Sequence, residues 1–289
     1  MRFKDLEIFI SVAKHKSFSK AAEEMNCVQP NVTARIKSLE ESHDCVLVHR
    51  GAGKVELTSS GELFLKYAEQ LVNLQREASI AMAEMHEPAG RLVVGSMEST
   101  AAVRLPQVLS EYHARFPAVE LVLKTGPSDK TMERLAEFEV DMALVSGVVD
   151  GKRWTVDSAY QEELAIVAPR SVSDIDQLDE ITVLVFKNGC SYRAQLENWL
   201  RQTGRNPYRV LEFGSLEGIL GCVGAGMGIT FLPVSLIEQA GHQERFSVIR
   251  LPAEFANMTT WLVRRKEERY SKALTELREL IIGQPSVPV

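Results

Sequence analysis

The chain of 289 residues is 45% hydrophobic and 25% charged, which is typical of a soluble protein with room for about two domains. It has no apolar run near the roughly 20 residues of a membrane-spanning helix and no signal-peptide core at its start, so we expect a cytoplasmic protein without a membrane partner. The net charge of −6 at first argues against a nucleic-acid partner, but residues 1–58 hold nine Lys/Arg and eight Asp/Glu and could present a local basic face.

Residues 1–58 are predicted to form three helices and a hairpin. Apolar residues recur at helical spacing from Leu6 to Ala13. Ser19 is expected to cap a short second helix, and Pro30 suits the first turn of a third helix over 30–42. This third helix should bury Val32, Ile36 and Leu39. Two short β-prone runs around a turn at 51–53 complete the pattern of a winged helix-turn-helix.

One long helix, over about 59–85, is predicted to follow. Its apolar residues are spaced alternately three and four apart, the a/d pattern of a coiled coil. These seam residues are Phe64, Tyr67, Leu71, Leu74, Ala78, Ala81 and Met85. A core stripe within one chain would show the same pattern, but a helix about 40 Å long with few helical neighbours favours pairing with a second copy. We therefore predict that residues 59–87 form a dimerisation helix, ended by Pro88, Ala89 and Gly90.

Residues 91–289 alternate apolar runs with amphipathic stretches. Strands are predicted at 92–95, 119–124, 142–145, 164–167 and 182–185, with helices near 101–116, 192–201 and 215–223. This alternation predicts an α/β fold with mostly parallel sheets covered by helices.

The first segment resembles a known family. The run FSKAAEEMNCVQPNVTARIKSLEE, followed by LVHRGAGKVELTSSGELFL, is similar to the DNA-binding region of LysR-type transcriptional regulators. Val28, Ala34 and Asp44 depart from the family pattern, which usually has Ser, Arg and Gly there, so they affect single DNA contacts rather than the fold.

The resemblance implies an architecture and partners for the whole chain. Residues 91–289 would be an effector domain like a periplasmic binding protein, with subdomain I at 91–160 and 266–289, subdomain II at 161–265, and a small-molecule cleft between them. A homodimer that assembles further into a tetramer would bind an interrupted palindrome in double-stranded DNA and contact RNA polymerase. The segments GSMESTAAVRLP, GCSYRAQLENWL and GCVGAGMGITFLP are most similar to a branch that includes putrescine-utilisation regulators.

Polar residues on the exposed side of the third helix are candidates for reading DNA. A helix fits the major groove, Gln and Asn can pair with adenine, and Lys or Arg beside the wing turn suits phosphates. A solvated polar face is the alternative, which the accompanying wing and linker helix disfavour. The predicted DNA-binding residues are Ser19, Gln29, Pro30, Asn31, Thr33, Arg35, Lys37, Arg50 and Lys54.

Polar residues also gather where strands of the third segment end and helices begin. Ligands bind at the carboxyl ends of strands in α/β sheets, and helix N-termini offer unpaired N–H groups, although plain helix capping would use the same residues. Glu98 could pair with an amine, whereas Arg193 and the helix N-termini favour a carboxylate, and both remain open. The predicted effector-binding residues are Ser96, Glu98, Ser99, Thr100, Thr125, Gly126, Ser128, Ser146, Ser191, Tyr192, Arg193 and Gly226.

The rival interpretation is an enzyme or binding protein built on the α/β segment, with residues 1–58 as a protein-interaction module. None of the six histidines lies in a G-x-S-x-G or H-E-x-x-H context, and the four cysteines lack C-x-x-C or zinc-ligand spacing, so we expect no catalysis, metal or cofactor. Cys190 and Cys222 could form a redox switch, but a free cysteine more often serves as a small buried hydrophobe. The sequence therefore predicts a sequence-specific DNA-binding regulator whose activity a small molecule modulates.

Overall fold

The computed structural model describes residues 2–51, 54–83, 87–178, 180–239, 244–266 and 270–283. The chain divides into two compact units, residues 1–85 and 86–289. The first unit contains α1 (Phe3–His15), α2 (Phe18–Glu24), α3 (Gln29–His43), β1 (Val48–Gly51), β2 (Lys54–Leu57) and α4 (Ser59–Ala83). This element order confirms the predicted winged helix-turn-helix.

The core of the first unit follows the helical periodicity of the sequence. Val32, Ile36 and Leu39 on α3 are each at most 1% exposed, as predicted. They meet the inward face of α1, which includes Phe9, so the opposite side of α3 remains exposed. Pro30 lies in the first turn of α3, where its missing N–H leaves no intrahelical bond unmade.

The N-cap of α2 is Ser17 rather than Ser19. Ser17 has an extended backbone, and its Oγ accepts a hydrogen bond from the N–H of Lys20 at 3.3 Å. The prediction was wrong by two residues because either serine satisfies the local capping preference. The choice follows from α1, which ends at Lys16 in a left-handed conformation and leaves the next residue extended.

The wing is fastened to α3 by a carboxylate. β1 and β2 form an antiparallel pair, and Glu40 of α3 accepts the N–H groups of Leu47 and Val48 at 2.9 and 3.2 Å. Gly61 permits the close approach of α4, because a Cβ there would lie 2.1 Å from the carbonyl oxygen of Leu47.

Helix α4 has two apolar faces. One face, formed by Phe64, Leu65, Ala68 and Val72, packs into the core of the first unit, and the rings of Phe9 and Phe64 lie 5.3 Å apart. The other face, which we call the exposed stripe, consists of Leu63, Tyr67, Leu71 and Leu74, which are 36–62% exposed. Phe64, predicted as a seam residue, thus packs within its own chain. Met85 and the side chain of Ala81 lie outside the described residues.

The second unit is an α/β domain. In chain order its elements are β3 (Gly90–Ser96), α5 (Glu98–Val103), α6 (Leu105–Arg115), β4 (Val119–Thr125), α7 (Ser128–Ala136), β5 (Met142–Ser146), β6 (Trp154–Pro169), β7 (Ile181–Phe186), α8 (Ser191–Gln202), β8 (Tyr208–Phe213), α9 (Leu216–Gly224), β9 (Thr230–Pro233), α10 (Val234–Gln239), β10 (Phe246–Arg250), α11 (Ala253–Ala256), β11 (Asn257–Arg265) and α12 (Lys272–Ile282). The helix predicted at 101–116 is divided at Arg104, because Pro106 starts a new helical turn.

The large sheet is mixed, so the expectation of mostly parallel sheets is wrong for it. Its strand order is β10-β6-β11-β5-β3-β4, with β9 also pairing with β6. β3 is parallel to β4 and β5, whereas β11 and β6 run antiparallel to each other, and β9 and β10 run antiparallel to β6. A separate parallel pair joins β7 and β8.

Two subdomains share the long strand β6. Its first part pairs with β11 up to Glu163, and its last part pairs with β9 and β10, so the chain crosses between the subdomains along this strand. The return crossing lies before Asn257 rather than near Lys266, since β11 pairs with β5 of subdomain I. Each subdomain buries its own apolar core, represented by Leu144 in the first and Leu184 in the second.

Candidate functional site

The N-terminal end of α3 presents polar side chains to solvent. Gln29, Pro30 and Asn31 are exposed, and Lys37 is exposed further along the same helix. Ser19 of α2 donates a hydrogen bond from its Oγ to Gln29 Oε1 at 2.9 Å, which restrains the Gln29 amide. The structure thus brings Ser19, Gln29 and Asn31 to one end of the two-helix motif.

Two of the predicted DNA-binding residues point partly back into the protein. Arg35 donates to Asp5, which is only 6% exposed, at 2.8 Å, and its Nε also faces Asn31 Oδ1 at 3.4 Å. Thr33 is half-buried. The side chains of Arg50 and Lys54 lie outside the described residues. The sequence pattern could not show the pair of Arg35 and Asp5, whose positions are 30 residues apart.

In the second unit, a cavity of about 200 Å³ lies where the two subdomains face each other. It is bordered by the carboxyl ends of four strands, β3, β4, β7 and β8, and by the starts of the helices α5, α7 and α8. The lining residues are Met97, Glu98, Ser99, Thr125, Gly126, Pro127, Ser128, Phe186, Lys187, Cys190, Tyr192, Phe213 and Gly214. This is where a strand-end ligand site is expected in an α/β fold.

Direct hydrogen bonds cross the cleft at the edges of this cavity. Glu98 accepts the N–H of Leu216, the first residue of α9, at 3.0 Å. Ser99 donates to the hydroxyl of Tyr192 at 3.3 Å. Ser191 contacts Ser128 at 3.1 Å. These bonds join α5 and α7 of subdomain I to α8 and α9 of subdomain II.

Several predicted effector residues form the wall behind the cavity rather than its lining. Ser96, Thr100 and Ser146 are at most 4% exposed, and Ser191 donates a further bond to the carbonyl oxygen of Ser146 at 2.5 Å. Thr100 Oγ1 has no hydrogen-bond partner within the described ranges. Burial raises the pKa of Tyr192 well above its usual value, so its phenol stays protonated.

The charges at the cleft differ from what the sequence suggested. Arg193 donates to Glu212 at 2.6 Å and to Glu197 at 2.8 Å, so two carboxylates already balance its charge, and the bond to Glu212 raises the pKa of the guanidinium and keeps it protonated. Gly226 follows α9 and lies away from the cavity lining. Lys187, which the sequence analysis did not select, lines the cavity and has no ion-pair partner among the residues described.

The apolar lining was also missed. Phe186 and Phe213 are the last residues of β7 and β8, and Met97 follows β3. Their apolar character resembled that of core residues, so no local signal separated them from the interior. The glycine at position 189 is a sequence feature that could have pointed to the cleft. Its φ is +90°, and a Cβ there would lie 2.0 Å from the carboxylate of Asp129 across the cleft. The positive φ favours glycine at this position, and any larger residue would require the Asp129 side chain to move.

Neither a metal-holding cluster nor a membrane-spanning helix is found among the described residues. No group of three or more His, Cys, Asp or Glu side chains in this part of the chain is placed to hold a metal ion. None of the described helices has both the length and the apolarity that a bilayer crossing requires.

A winged helix-turn-helix joined to a two-subdomain domain with a small-molecule cavity defines a ligand-responsive DNA-binding regulator. Residues 3–62 match the bacterial regulatory helix-turn-helix proteins of the lysR family, and residues 85–285 match the LysR substrate binding domain. The HTH-type transcriptional regulator GltR of Bacillus subtilis is 36% identical over 278 residues, which cover 95% of this chain and 94% of that protein. The chain therefore belongs to the LysR family: it is a DNA-binding transcriptional regulator with an effector-binding domain, not an enzyme.

Solved structures of full-length regulators share the fold. CbnR complexed with its target DNA superposes with a TM-score of 0.67 at 20% identity, covering 97% of this chain and 99% of that one. LysG from Corynebacterium glutamicum with bound effector Arg superposes with a TM-score of 0.63 at 20% identity, covering 98% and 97%. At these identities the likeness shows the fold alone.

Proposed function

We propose that α3 reads base edges through Gln29 and Asn31, and that Arg35 positions α3 instead of reading a base. The observation that carries this proposal is the exposed amide of Gln29, held by Ser19 at the N-terminal end of α3. In helix-turn-helix proteins this end of the recognition helix contacts base edges, and a glutamine amide can pair with adenine in the major groove. Arg35 is engaged by Asp5 and is less available to DNA.

Replacing Gln29 with Ala tests this assignment. Loss of one base contact should cost about 1–3 kcal/mol, which is roughly 5- to 150-fold in affinity, on cognate DNA only. The matched control is Lys37→Ala, which removes an exposed charge of the same helix and should weaken binding to cognate and random duplexes alike. Fluorescence anisotropy with both duplexes at several salt concentrations distinguishes the two patterns. Unchanged discrimination by Gln29→Ala would refute the base contact.

We propose further that the exposed stripe of α4 pairs two copies of the chain. A folded monomer gains nothing by exposing Tyr67 and Leu74 at 57% and 62%, whereas a coiled coil would bury them. A two-fold dimer carries two copies of α3 and would bind an interrupted palindrome. The tetramer, the contact with RNA polymerase and the link to putrescine-utilisation regulators remain predictions from the family resemblance, and the cytoplasmic location remains a prediction from the sequence pattern.

The double variant Leu71→Asp/Leu74→Asp should dissociate the dimer. Each carboxylate would face its copy across the interface and lose water without gaining a partner. Lys66→Asp is the control, because it changes the charge of an exposed position on the same helix outside the stripe. Sedimentation equilibrium should show a lower mass for the double variant alone, and an unchanged mass would mean that the stripe is not the interface.

For the cavity, we propose an effector that carries a carboxylate and an apolar group. The starts of α5, α7 and α8 border it and bring the positive ends of their helix dipoles there, and Lys187 adds a cation without an ion-pair partner among the described residues. Glu98 already accepts a hydrogen bond from Leu216, which makes it less available to an amine. Phe186, Phe213 and Met97 provide apolar contact area.

A thermal-shift screen of matched acids and amines with the same carbon skeleton tests the effector class. A ligand at 100 times its dissociation constant should stabilise the folded protein by about 2.7 kcal/mol, or roughly 5–10 °C for a unit of this size. We expect such shifts from acids, and an about 10- to 100-fold loss of affinity for the best acid in Lys187→Met through loss of a charge-assisted bond. Lys152→Met, which removes an exposed lysine remote from the cavity lining, is the control. Shifts from amines alone would contradict the proposed class.

A further inference from the structure

The residue that precedes the recognition helix is unusual for its position. Val28 is the N-cap of α3, with φ −87° and ψ 146°, and it forms no side-chain cap. N-caps favour Ser, Thr, Asn and Asp, whose side chains accept a helix N–H, and an apolar residue there costs about 1 kcal/mol. The Val28 side chain is also 69% exposed, so burial does not compensate for the missing cap.

A residue that breaks two local rules at once points to a functional constraint. Val28 directly precedes Gln29, whose amide is held by Ser19 at the end of α3 that faces DNA in the proposed function. The side chains that follow, Gln29 and Asn31, are polar and exposed, so Val28 places two methyl groups at the edge of a polar surface.

We propose that Val28 is a specificity-determining residue that packs against the C5 methyl group of a thymine in the major groove. The thymine methyl is the apolar feature that base pairs present in that groove, and apolar side chains read it by contact. The contact buries apolar surface of both partners, which offsets the cost of an uncapped, exposed valine. This inference rests on the proposed role of α3 in reading DNA.

The experiment removes the apolar contact from each partner in turn: the methyl group of thymine, or both methyl groups of Val28. The probe is a duplex whose sequence the full-length chain has enriched from a random library, with each thymine replaced in turn by deoxyuridine. At one thymine per half-site the replacement should weaken the parent about four-fold, the effect of losing one buried methyl. Val28→Ser should bind the unmodified duplex more weakly than the parent does, and the deoxyuridine replacement should no longer affect it, because coupled sites are not additive.

Loss of folding cannot produce this pattern. Serine is a favoured N-cap, so Val28→Ser should unfold at the same temperature as the parent or higher. Lys37→Ala, a change on the same helix, should keep the parent's sensitivity to deoxyuridine.

The outcomes distinguish the thymine contact of Val28 from the proposed reading of DNA by α3, on which it rests. A parent that is insensitive to deoxyuridine at every position, or a Val28→Ser variant that keeps the parent's sensitivity, overturns the thymine contact while Gln29→Ala can still show that α3 reads DNA. A library without any enriched sequence would overturn both proposals.

Discussion

A buried ion pair at the junction of the two subdomains should contribute strongly to the stability of the second unit. Arg104, at the break between α5 and α6, donates through Nε and Nη2 to the two carboxylate oxygens of Glu162 on β6, both at 2.9 Å. The side chains are only 11% and 4% exposed. Removing one partner of a buried pair leaves the other charge desolvated, which costs about 3–5 kcal/mol. We expect the lower end for Arg104→Met, because Ser235 still donates to Glu162 at 3.2 Å.

About 3 kcal/mol corresponds to a fall in Tm of roughly 6–12 °C for a unit of this size. Calorimetry of the full-length chain should show this shift in the transition of residues 86–289. The double variant Arg104→Met/Glu162→Leu should recover most of it, since an apolar pair carries no unpaired charge. Arg115→Met is the control, because its partner Glu111 is 41% exposed and exposed pairs contribute about 0–1 kcal/mol. A shift in Arg104→Met no larger than in this control would refute the reasoning.

Three further outcomes follow from the structure. The hydrogen bond from Lys14 lowers the pKa of Glu24 from 4.5 to about 2. The ionised Glu24 therefore stabilises the first unit fully above pH 4.5, and this stabilisation is lost as the pH falls toward 2. Glu24→Gln should show a flatter acid denaturation curve over that range. Burial raises the pKa of Cys190, so the native thiol should react with iodoacetamide at pH 7 far more slowly than in urea; rapid native labelling of Cys190 would contradict this. Gly189→Ala should lower the Tm, because the new Cβ meets Asp129 and the φ of +90° disfavours alanine. Adding Asp129→Gly should restore only the part of the Tm loss that the steric clash causes.

The N-terminal unit was predictable because its signals are local. The spacing of Val32, Ile36 and Leu39 predicts which face of α3 is buried, and Pro30 indicates where that helix begins. Alternating spacing along α4 likewise predicts a long helix. The same spacing could not assign Phe64 to the core of its own chain and Tyr67 to the exposed stripe, since a heptad pattern is satisfied by either partner.

In the second unit the sequence determined the presence of strands and helices, and hence a ligand site at strand ends. Only the tertiary structure decided how the strands pair, because the apolar run of β6 carries no information on whether its neighbours run parallel or antiparallel. The pairing of charges in the cleft likewise depends on the tertiary structure. Arg193 of α8 is paired with Glu212 of β8, while Lys187 is left without an ion-pair partner among the described residues. Electrostatic interactions depend on distance in space rather than along the chain, so the sequence could not show which charges of the cleft are paired and which are left for a ligand.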